Sequence, residues 1–153
     1  MSKRLNAAAA APEALQALLG VEAYIRGCGL EHGLIALVKM RASQINGCAY
    51  CLDMHSREAR KRGETEQRLY LLDAWREASV YSPRERAALA WTEALTRIAE
   101  THAPDDVYAE LCRHFSDKEV ADLTAAIGMI NLWNRVSIAF RTEHTIDAQP
   151  HAA

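Results

Sequence analysis

Proline and glycine are scarce in this 153-residue chain, which has four prolines and seven glycines. Both residue types interrupt helices, so long segments of the chain are free of helix breakers. Apolar residues recur every three or four positions along these segments, for example at Leu123, Ile127 and Ile130. We see no convincing alternation of apolar and polar residues of the kind typical of a strand. The sequence therefore predicts an all-α, single-domain bundle of six or seven helices.

Long apolar runs are also missing, because no run reaches the roughly 18 residues that a membrane-spanning helix needs. Residues 1–16 contain an alanine run but lack the leucine-rich core of a secretory signal. A formal net charge of −2 gives no general attraction to nucleic acid or to an anionic membrane. We therefore expect a cytoplasmic protein that binds neither nucleic acid nor a membrane.

Cysteine is also rare, and four cysteines are too few for a disulfide-stabilised scaffold in a chain of this size. In a reducing compartment, a close cysteine pair is more often catalytic or metal-binding than structural. The length suits one domain with its own core, and no linker or repeat divides it. We expect residues 1–153 to form this domain, with a core over about 12–143 and frayed tails at 1–11 and 147–153.

Several helix boundaries are marked by local signals. Ser82 to Glu85 has the pattern of a capping box with a proline at the first helical position, and Ser116 to Glu119 has the same box without the proline. Gly47 and Gly63 bracket a helix of about four turns. These signals predict where three of the helices begin, and they place the cysteine pair on one of the three.

That pair lies in the stretch CAYCLDMH, residues 48–55. Cys48 stands at the opening turn of the predicted helix, where free backbone N–H groups and the helix dipole favour a thiolate. Cys51 lies three residues further on, close enough for a disulfide, and His55 lies on the same face one turn later. An imidazole there can exchange a proton with a sulfur or pair with a thiolate. This arrangement favours thiol redox chemistry.

The residues alone leave two other interpretations open. A structural metal site usually has four ligands, and this motif supplies three, so the rest would come from elsewhere in the fold. The residue types that could complete such a set occur at Cys28, His32, Cys112 and His114. Attachment of a c-type haem needs a histidine directly after the second cysteine, where this chain has Leu52. Alternatively, both cysteines are small buried side chains without chemistry.

The motif is part of a longer stretch, LIALVKMRASQINGCAYCLDMHSREARKRGE (residues 34–64). With residues 82–96 and 116–141, it resembles the alkylhydroperoxidase D-like branch of the carboxymuconolactone decarboxylase family, over about residues 30–141. The resemblance implies an all-α fold and a homo-oligomer, either a trimer or a hexamer. It also implies a peroxidase that acts on a small hydroperoxide and is re-reduced by an external dithiol or protein reductant. We expect no cofactor and no metal.

The resemblance also implies roles for the residues of the motif. Cys51 matches the peroxidatic thiolate, which becomes a sulfenic acid. Cys48 matches the resolving cysteine, which forms a Cys48–Cys51 disulfide and relays a proton. His55 matches the histidine that activates the pair. These roles agree with the chemistry of the motif, because a redox centre of this kind needs a low-pKa thiolate beside a second thiol.

Two positions depart from the family pattern. The family has a glutamate twelve residues before the first cysteine, where this chain has Ala36, and a histidine between the cysteines, where it has Tyr50. A phenol can hydrogen-bond, so Tyr50 can serve in a relay, but a methyl group cannot carry a proton. We expect Glu93 to supply the missing carboxylate, with Glu31 as a second candidate. Alternatively, Glu93 faces solvent and pairs with Arg97 one turn away.

Two further residue types stand out in the helical segments. Asn131 and Asn134 are polar positions inside an apolar helix, where they are expected to satisfy buried backbone, to bridge subunits or to act beside the thiols. Trp75, Trp91 and Trp133 are expected to be anchors of the core or of a subunit interface. Neither group alone points to a cofactor.

Three functional hypotheses follow from the sequence. The first is an antioxidant thiol peroxidase, or a dithiol oxidoreductase that passes electrons to one. The second is a lyase of the carboxymuconolactone decarboxylase type, but such members generally lack the C-x-x-C pair. The third is a protein without catalytic activity whose dithiol senses the redox state. A helical bundle suits all three, so the site has to discriminate between them.

Overall fold

The computed structural model describes residues 4–147 and shows nine α-helices and no strand within them. One short 3₁₀ turn, Leu71–Ala74, follows the fifth helix. The all-α prediction is confirmed, and the helices outnumber the prediction because three of them have only four or five residues. The nine helices are α1 (Ala7–Ala10), α2 (Pro12–Gly27), α3 (His32–Asn46), α4 (Ala49–Lys61), α5 (Glu66–Tyr70), α6 (Pro83–Thr96), α7 (Ile98–Thr101), α8 (Asp105–Cys112) and α9 (Asp117–Phe140).

The predicted helix starts are confirmed at both capping boxes. The hydroxyl of Ser82 accepts a hydrogen bond from the backbone N–H of Glu85, and the carboxylate of Glu85 accepts one from the backbone N–H of Ser82. Ser116 and Glu119 form the same reciprocal pair at the start of α9. Each box satisfies backbone donors that a helix start would otherwise leave free.

Helix α3 is the centre of the bundle and packs against α4, α6 and α9. It is buried around most of its circumference, from Leu34 to Ser43, as expected of a helix surrounded by others. One apolar cluster joins α3 to α2, α6, α8 and α9, with Leu111, Leu123 and Ile127 fully buried. A second cluster joins α3 to α4, the 3₁₀ turn and α6. Because α3 belongs to both clusters, it fixes α4 relative to the other helices.

The chain ends differ in how far the structure describes them. Part of the segment expected to be a frayed N-terminal tail is helical: α1 is capped by Asn6, and Arg4 donates a hydrogen bond to the carbonyl of Ala139 at 2.7 Å. The expected C-terminal tail, apart from Asp147, lies outside the described residues. None of the helices in residues 4–147 is long and apolar enough to span a membrane.

The connection between α3 and α4 determines where the cysteine motif lies. Gly47 has a φ of 68° and a ψ of 35°, the left-handed conformation that favours glycine after a helix. The backbone N–H of Gly47 donates to the carbonyl of Gln44 at 3.2 Å, and that of Cys48 donates to the carbonyl of Ser43 at 3.0 Å. This pair of bonds is a Schellman motif, which ends α3 and presents Cys48 as the N-cap of α4.

A network of side-chain amides holds this connection against α9. The amide of Asn46 donates to the carbonyl oxygens of Asn131 at 3.0 Å and Asn134 at 2.8 Å. Asn134 donates in turn to the hydroxyl of Ser43 at 3.0 Å, and both residues are fully buried. Asn131 also donates to the hydroxyl of Thr96 at 3.0 Å. The two polar positions inside α9 therefore anchor the segment that precedes the cysteines.

Two glycine substitutions test the importance of this connection. We expect Gly47→Ala to lower the free energy of unfolding by about 1 kcal/mol, because an L-residue is strained in the left-handed conformation. The matched control is Gly20→Ala in α2, where no atom lies within 4 Å of an added Cβ and the backbone is helical. We expect this control to raise the free energy of unfolding by about 0.5–1 kcal/mol. Urea denaturation measures both, and effects of the same sign would contradict the expectation.

Candidate active site

Cys48 and Cys51 form a disulfide at the start of α4, with their Cα atoms 5.4 Å apart. Cys48 is the N-cap residue, and its Sγ accepts a hydrogen bond from the backbone N–H of Cys51 at 3.3 Å. The predicted spatial relation of the two cysteines is confirmed. The pair therefore lies where free N–H groups and the helix dipole stabilise negative charge on sulfur.

The buried face of α4 carries the functional side chains. Its buried residues are Cys51, His55 and Ala59, which recur every four positions and so form one stripe. Packing of this stripe against the bundle gives His55 an exposed fraction of only 7%. The histidine predicted to lie one turn after the second cysteine is therefore part of the core-facing side of the helix, together with Cys51.

A cavity of about 820 Å³ lies beside this stripe, within the size range of small-molecule sites. Cys51 and His55 line it, whereas Cys48 does not. Most of the wall is apolar, formed by side chains from α1, α2, α3, α4 and α9, including Leu15, Leu18, Ile25, Ile35, Met54, Trp133 and Phe140. The two cysteines are therefore not equivalent: both are almost fully buried, but only Cys51 lies on the cavity wall.

The imidazole of His55 is neutral at neutral pH in this disulfide form. Burial lowers the pKa of His55 to about 4, and the positive charge of Lys39 acts in the same direction. Glu58 and Glu22 act against this shift without reversing it. His55 Nδ1 lies 3.8 Å from Glu58 Oε2, which is longer than a hydrogen bond, and because the imidazole is neutral the two groups do not form an ion pair at pH 7. A neutral imidazole can accept a proton.

A buried ion pair lies in the wall of the same cavity. Lys39 Nζ is 2.7 Å from Glu22 Oε2, and each side chain is only 12% exposed. The indole N–H of Trp133 donates to the other oxygen of Glu22 at 3.0 Å. We did not identify this group from the sequence. The available signal was a charged residue, Glu22, on the helical face that Leu18 and Ile25 also occupy.

The carboxylate expected from the sequence lies elsewhere. Glu93 is not among the residues that line the cavity; its Oε1 accepts hydrogen bonds from Arg41 Nε at 2.9 Å and Trp75 Nε1 at 2.8 Å. Its Oε2 accepts one from Arg76 at 2.8 Å. Burial raises the pKa of Glu93, but these three donors outweigh it, and the net pKa is lowered. Glu93 is therefore a fixed anion in a structural network, and its partner is not the predicted Arg97.

The other positions discussed from the sequence are divided between the cavity and the surface. Ala36 and Tyr50 both line the cavity, so the place of the missing family glutamate belongs to the site. Glu31, the second candidate carboxylate, pairs with Arg84 at 3.0 Å and does not line the cavity. Trp75 and Trp91 are core residues, as predicted.

The residues considered as further metal ligands lie apart from the pair. Cys28 and Cys112 are free thiols, and His114 Nε2 lies 3.0 Å from a carboxylate oxygen of Glu110. His32 lies on the cavity wall. Over residues 4–147, no group of three or more histidine, cysteine, aspartate or glutamate side chains is arranged to hold a metal ion.

Comparisons with known proteins show the family of this chain and agree with its fold. The pattern of the Carboxymuconolactone decarboxylase family matches residues 9–94. The uncharacterized protein YdfG of Bacillus subtilis (strain 168) is 43% identical over 139 residues, which is 91% of this chain and 95% of YdfG. The uncharacterized protein YnjA of Escherichia coli (strain K12) is 32% identical over 104 residues, 68% of this chain and 57% of YnjA.

One solved structure is similar over nearly the whole chain. It is a protein of unknown function from Agrobacterium tumefaciens, suggested to be the antioxidant defence protein AhpD. The TM-score is 0.92 at 50% identity, and the match covers 95% of this chain and 100% of the other. The helical arrangement described above is therefore shared with an AhpD-like relative.

The buried neutral histidine has a measurable consequence for stability. Between pH 6.5 and about 4 the unfolded chain binds a proton at residue 55 that the folded chain does not. The free energy of unfolding of the oxidised protein should therefore fall as the pH falls through this window, by about 3 kcal/mol at its lower end. Urea denaturation at pH 7.5, 6.5 and 5.5 measures the slope.

The matched control for this measurement is His55→Gln, which cannot titrate. Carboxylates with lowered pKa values, such as Glu93 and Glu85, take up protons in the unfolded chain mainly below about pH 5.5, so they add little to the slope between pH 7.5 and 5.5. We expect the control to be flat between pH 7.5 and 5.5. An equal slope in both proteins would show that His55 is not the group responsible.

Proposed function

Since the chain belongs to the carboxymuconolactone decarboxylase family, we propose that it is an AhpD-like thiol peroxidase that reduces organic hydroperoxides with the Cys48–Cys51 pair. The observation that carries this proposal is the position of Cys51 on the wall of a cavity, with His55 on the same wall and Cys48 bonded to Cys51 but not on the wall. An attacking sulfur needs access to its substrate, and a resolving sulfur needs access only to the first one.

The first step oxidises Cys51. Its thiol gives a proton to neutral His55, and the thiolate attacks one oxygen of the hydroperoxide. A sulfur–oxygen bond forms and the peroxide O–O bond breaks, so the sulfur is oxidised to a sulfenic acid and the peroxide is reduced by two electrons. The proton held by His55 then passes to the leaving alkoxide, which departs as an alcohol. The buried imidazole is neutral and a weak base, so it holds this proton only in passing, between the thiol and the leaving oxygen.

The second step forms the disulfide. The sulfur of Cys48 displaces the hydroxyl of the Cys51 sulfenic acid, which leaves as water with the proton of the Cys48 thiol. The Cα separation of 5.4 Å allows this bond without movement of the backbone. An external dithiol or a protein reductant then reopens the pair by thiol–disulfide exchange through a mixed disulfide. Tyr50, on the cavity wall, is available to hydrogen-bond a water or the substrate.

The two alternative functions, a lyase and a redox sensor, each leave one feature of the site without a role. A decarboxylating lyase has no need of two thiols at bonding distance, and the family name alone does not require that reaction. A sensor would use the disulfide, but it has no need of a cavity beside one of the two sulfurs. The proposed peroxidase accounts for both features, the disulfide and the cavity.

We also propose that the protein is a cytoplasmic homo-oligomer, a trimer or a hexamer, as the family resemblance implies. Several large apolar side chains of this chain remain exposed, among them Leu19 at 46% and Tyr24 at 54% on α2, and Ile138 at 46% on α9. Apolar surface of this kind is often covered in an assembly.

The cysteine variants test the proposed chemistry. With an organic hydroperoxide and excess dithiol, we expect the wild type to turn over repeatedly and Cys51→Ser to fall to background. Cys48→Ser should complete one fast oxidation of Cys51 and then turn over more slowly, because the sulfenic acid lacks its resolving partner. Peroxide loss is followed directly, and mass spectrometry identifies the sulfenic acid with a trapping reagent. Background peroxide loss in all three proteins would contradict the peroxidase, and a single oxidation of the wild type without turnover would favour the sensor.

Glu93 provides a separate test of which carboxylates act in the reaction. We expect Glu93→Gln to lower the free energy of unfolding by about 2 kcal/mol, because it weakens charge-assisted hydrogen bonds to Arg41 and Arg76. Peroxide turnover should stay within twofold of wild type. Glu77→Gln is the control, since Glu77 is exposed and has no side-chain partner in residues 4–147. Lost turnover in a folded Glu93→Gln protein would restore Glu93 to the proton relay.

A further inference from the structure

The Glu22–Lys39 ion pair in the cavity wall has no evident structural purpose. Its two side chains are almost fully shielded from water, and α2 and α3 already share an apolar cluster. Buried ion pairs contribute little net stability compared with apolar residues of the same size, because both charges lose their hydration. Charged groups kept in an apolar cavity are therefore candidates for a functional role.

The proposed reaction requires a positive charge near Cys51, because its thiolate has to form in a buried position. Cys51 is 1% exposed, and burial in apolar surroundings disfavours a thiolate. The helix start offsets part of this cost. His55 does not offset the rest as a lasting cation, because its pKa of about 4 makes it a weak base that holds the Cys51 proton only in passing. A second cation close to the pair would stabilise the negative charge on the sulfur.

We propose that Lys39 is the cation that stabilises the Cys51 thiolate and the oxygen that leaves during its attack, and that Glu22 and Trp133 are the positioning residues that hold Lys39 in place. The part of this inference that concerns the leaving oxygen rests on the proposed function. The part that concerns the thiolate does not require peroxide turnover.

The hydrogen bonds around Lys39 suit this role. An ammonium has three N–H donors, and within residues 4–147 Lys39 uses one of them, in its bond to Glu22. The other two are available to the cavity. Glu22 is itself held by the indole N–H of Trp133, so a donor on α9 orients a carboxylate on α2, which orients the ammonium on α3. A fixed cation of this kind needs no rearrangement when negative charge develops.

Other charged groups also face the cavity, and they have to be weighed against Lys39. The titratable and charged residues on its wall are Arg4 before α1, Glu22 and Arg26 on α2, His32 and Lys39 on α3, Tyr50, His55 and Glu58 on α4, Arg62 directly after α4, and Arg141 and Glu143 after α9. Glu58 and Arg62 pair with each other at 3.1 Å, and both are half exposed. Of all these charges, Lys39 has the largest effect on His55, the neighbour of Cys51.

The ion pair also changes which element supplies a carboxylate to the cavity of this chain. Ala36, which stands in that glutamate's place, lines the same cavity. The carboxylate in this cavity therefore comes from α2 rather than α3. It does not replace a proton relay directly; it holds a cation instead.

The experiment measures the thiolate of Cys51 without using peroxide. In a Cys48→Ser background, the reduced protein is alkylated with iodoacetamide between pH 5 and 9, and peptide mass spectrometry gives the rate at Cys51. Cys112 is exposed and serves as the internal reference for reagent and pH. We expect Lys39→Met to lower the alkylation rate of Cys51 at pH 7 by about tenfold and to move its pH profile to higher pH. The reason is that an opposite charge at close range lowers the pKa of an acidic group by about one unit or more.

Three further variants make the result specific. Lys39→Arg keeps the charge and should keep the Cys51 rate within about twofold. Arg26→Met removes an exposed cation from the same cavity wall and should leave the rate unchanged. The double variant Glu22→Gln/Lys39→Met leaves no unpaired buried carboxylate, so it tests the charge even if Lys39→Met does not fold. It should lower the Cys51 rate by less than Lys39→Met does, because removal of the Glu22 carboxylate favours the thiolate.

The outcomes are distinct. The proposal is overturned if Cys51 of the double variant is alkylated at the rate of the Cys48→Ser protein. It is also overturned if either Arg26→Met or Lys39→Arg lowers the Cys51 rate as much as Lys39→Met does. Peroxide turnover of the same variants with both cysteines present is measured in parallel. If the wild type turns over no peroxide and the alkylation rates still follow the charge, the proposed function fails while the role of Lys39 at the thiolate stands.

Discussion

The site depends on the turn that ends α3 and begins α4. The left-handed backbone of Gly47 and the two bonds of the Schellman motif fix the direction in which the chain leaves α3. The amides of Asn46 and Asn134 attach the same segment to α9. Cys48 therefore becomes the N-cap of α4, and the positions of Cys51 and His55 then follow from the helical repeat. A different exit from α3 would separate the sulfur from the cavity even if every helix kept its length.

Structural features that depend on contacts between chain neighbours could be predicted from the sequence. The capping boxes at Ser82 and Ser116, the helix bracketed by Gly47 and Gly63, and the spacing of the two cysteines depend on contacts between chain neighbours, and the structure has them all. The family resemblance supplied the fold and the order of the helices. The cavity, by contrast, is made by α2 and α9 as much as by α4, and no local pattern gives their arrangement.

Glu93 and Glu22 illustrate why the rest of the site could not be predicted from the sequence. Glu93 has apolar neighbours along the chain and was expected to reach the cysteines, but it faces the guanidinium of Arg41 and the indole of Trp75. Glu22 has no connection to the motif in sequence, yet it shares a cavity with Cys51. Both side chains are largely buried carboxylates with a cation and a tryptophan as partners. Only the packing of α2, α3 and α6 in the folded chain decides which carboxylate shares the cavity with Cys51.

The sulfur that caps α4 is also the atom whose covalent state changes. Cys48 Sγ accepts the backbone N–H of Cys51, so the electron density of this acceptor depends on whether it is a disulfide sulfur, a thiol or a thiolate. The strength of this hydrogen bond in the first turn of α4 therefore depends directly on the oxidation state of the cysteine pair. The amide resonance of residue 51 would act as a built-in spectroscopic indicator of that state, at an atom that takes no part in the electron transfer.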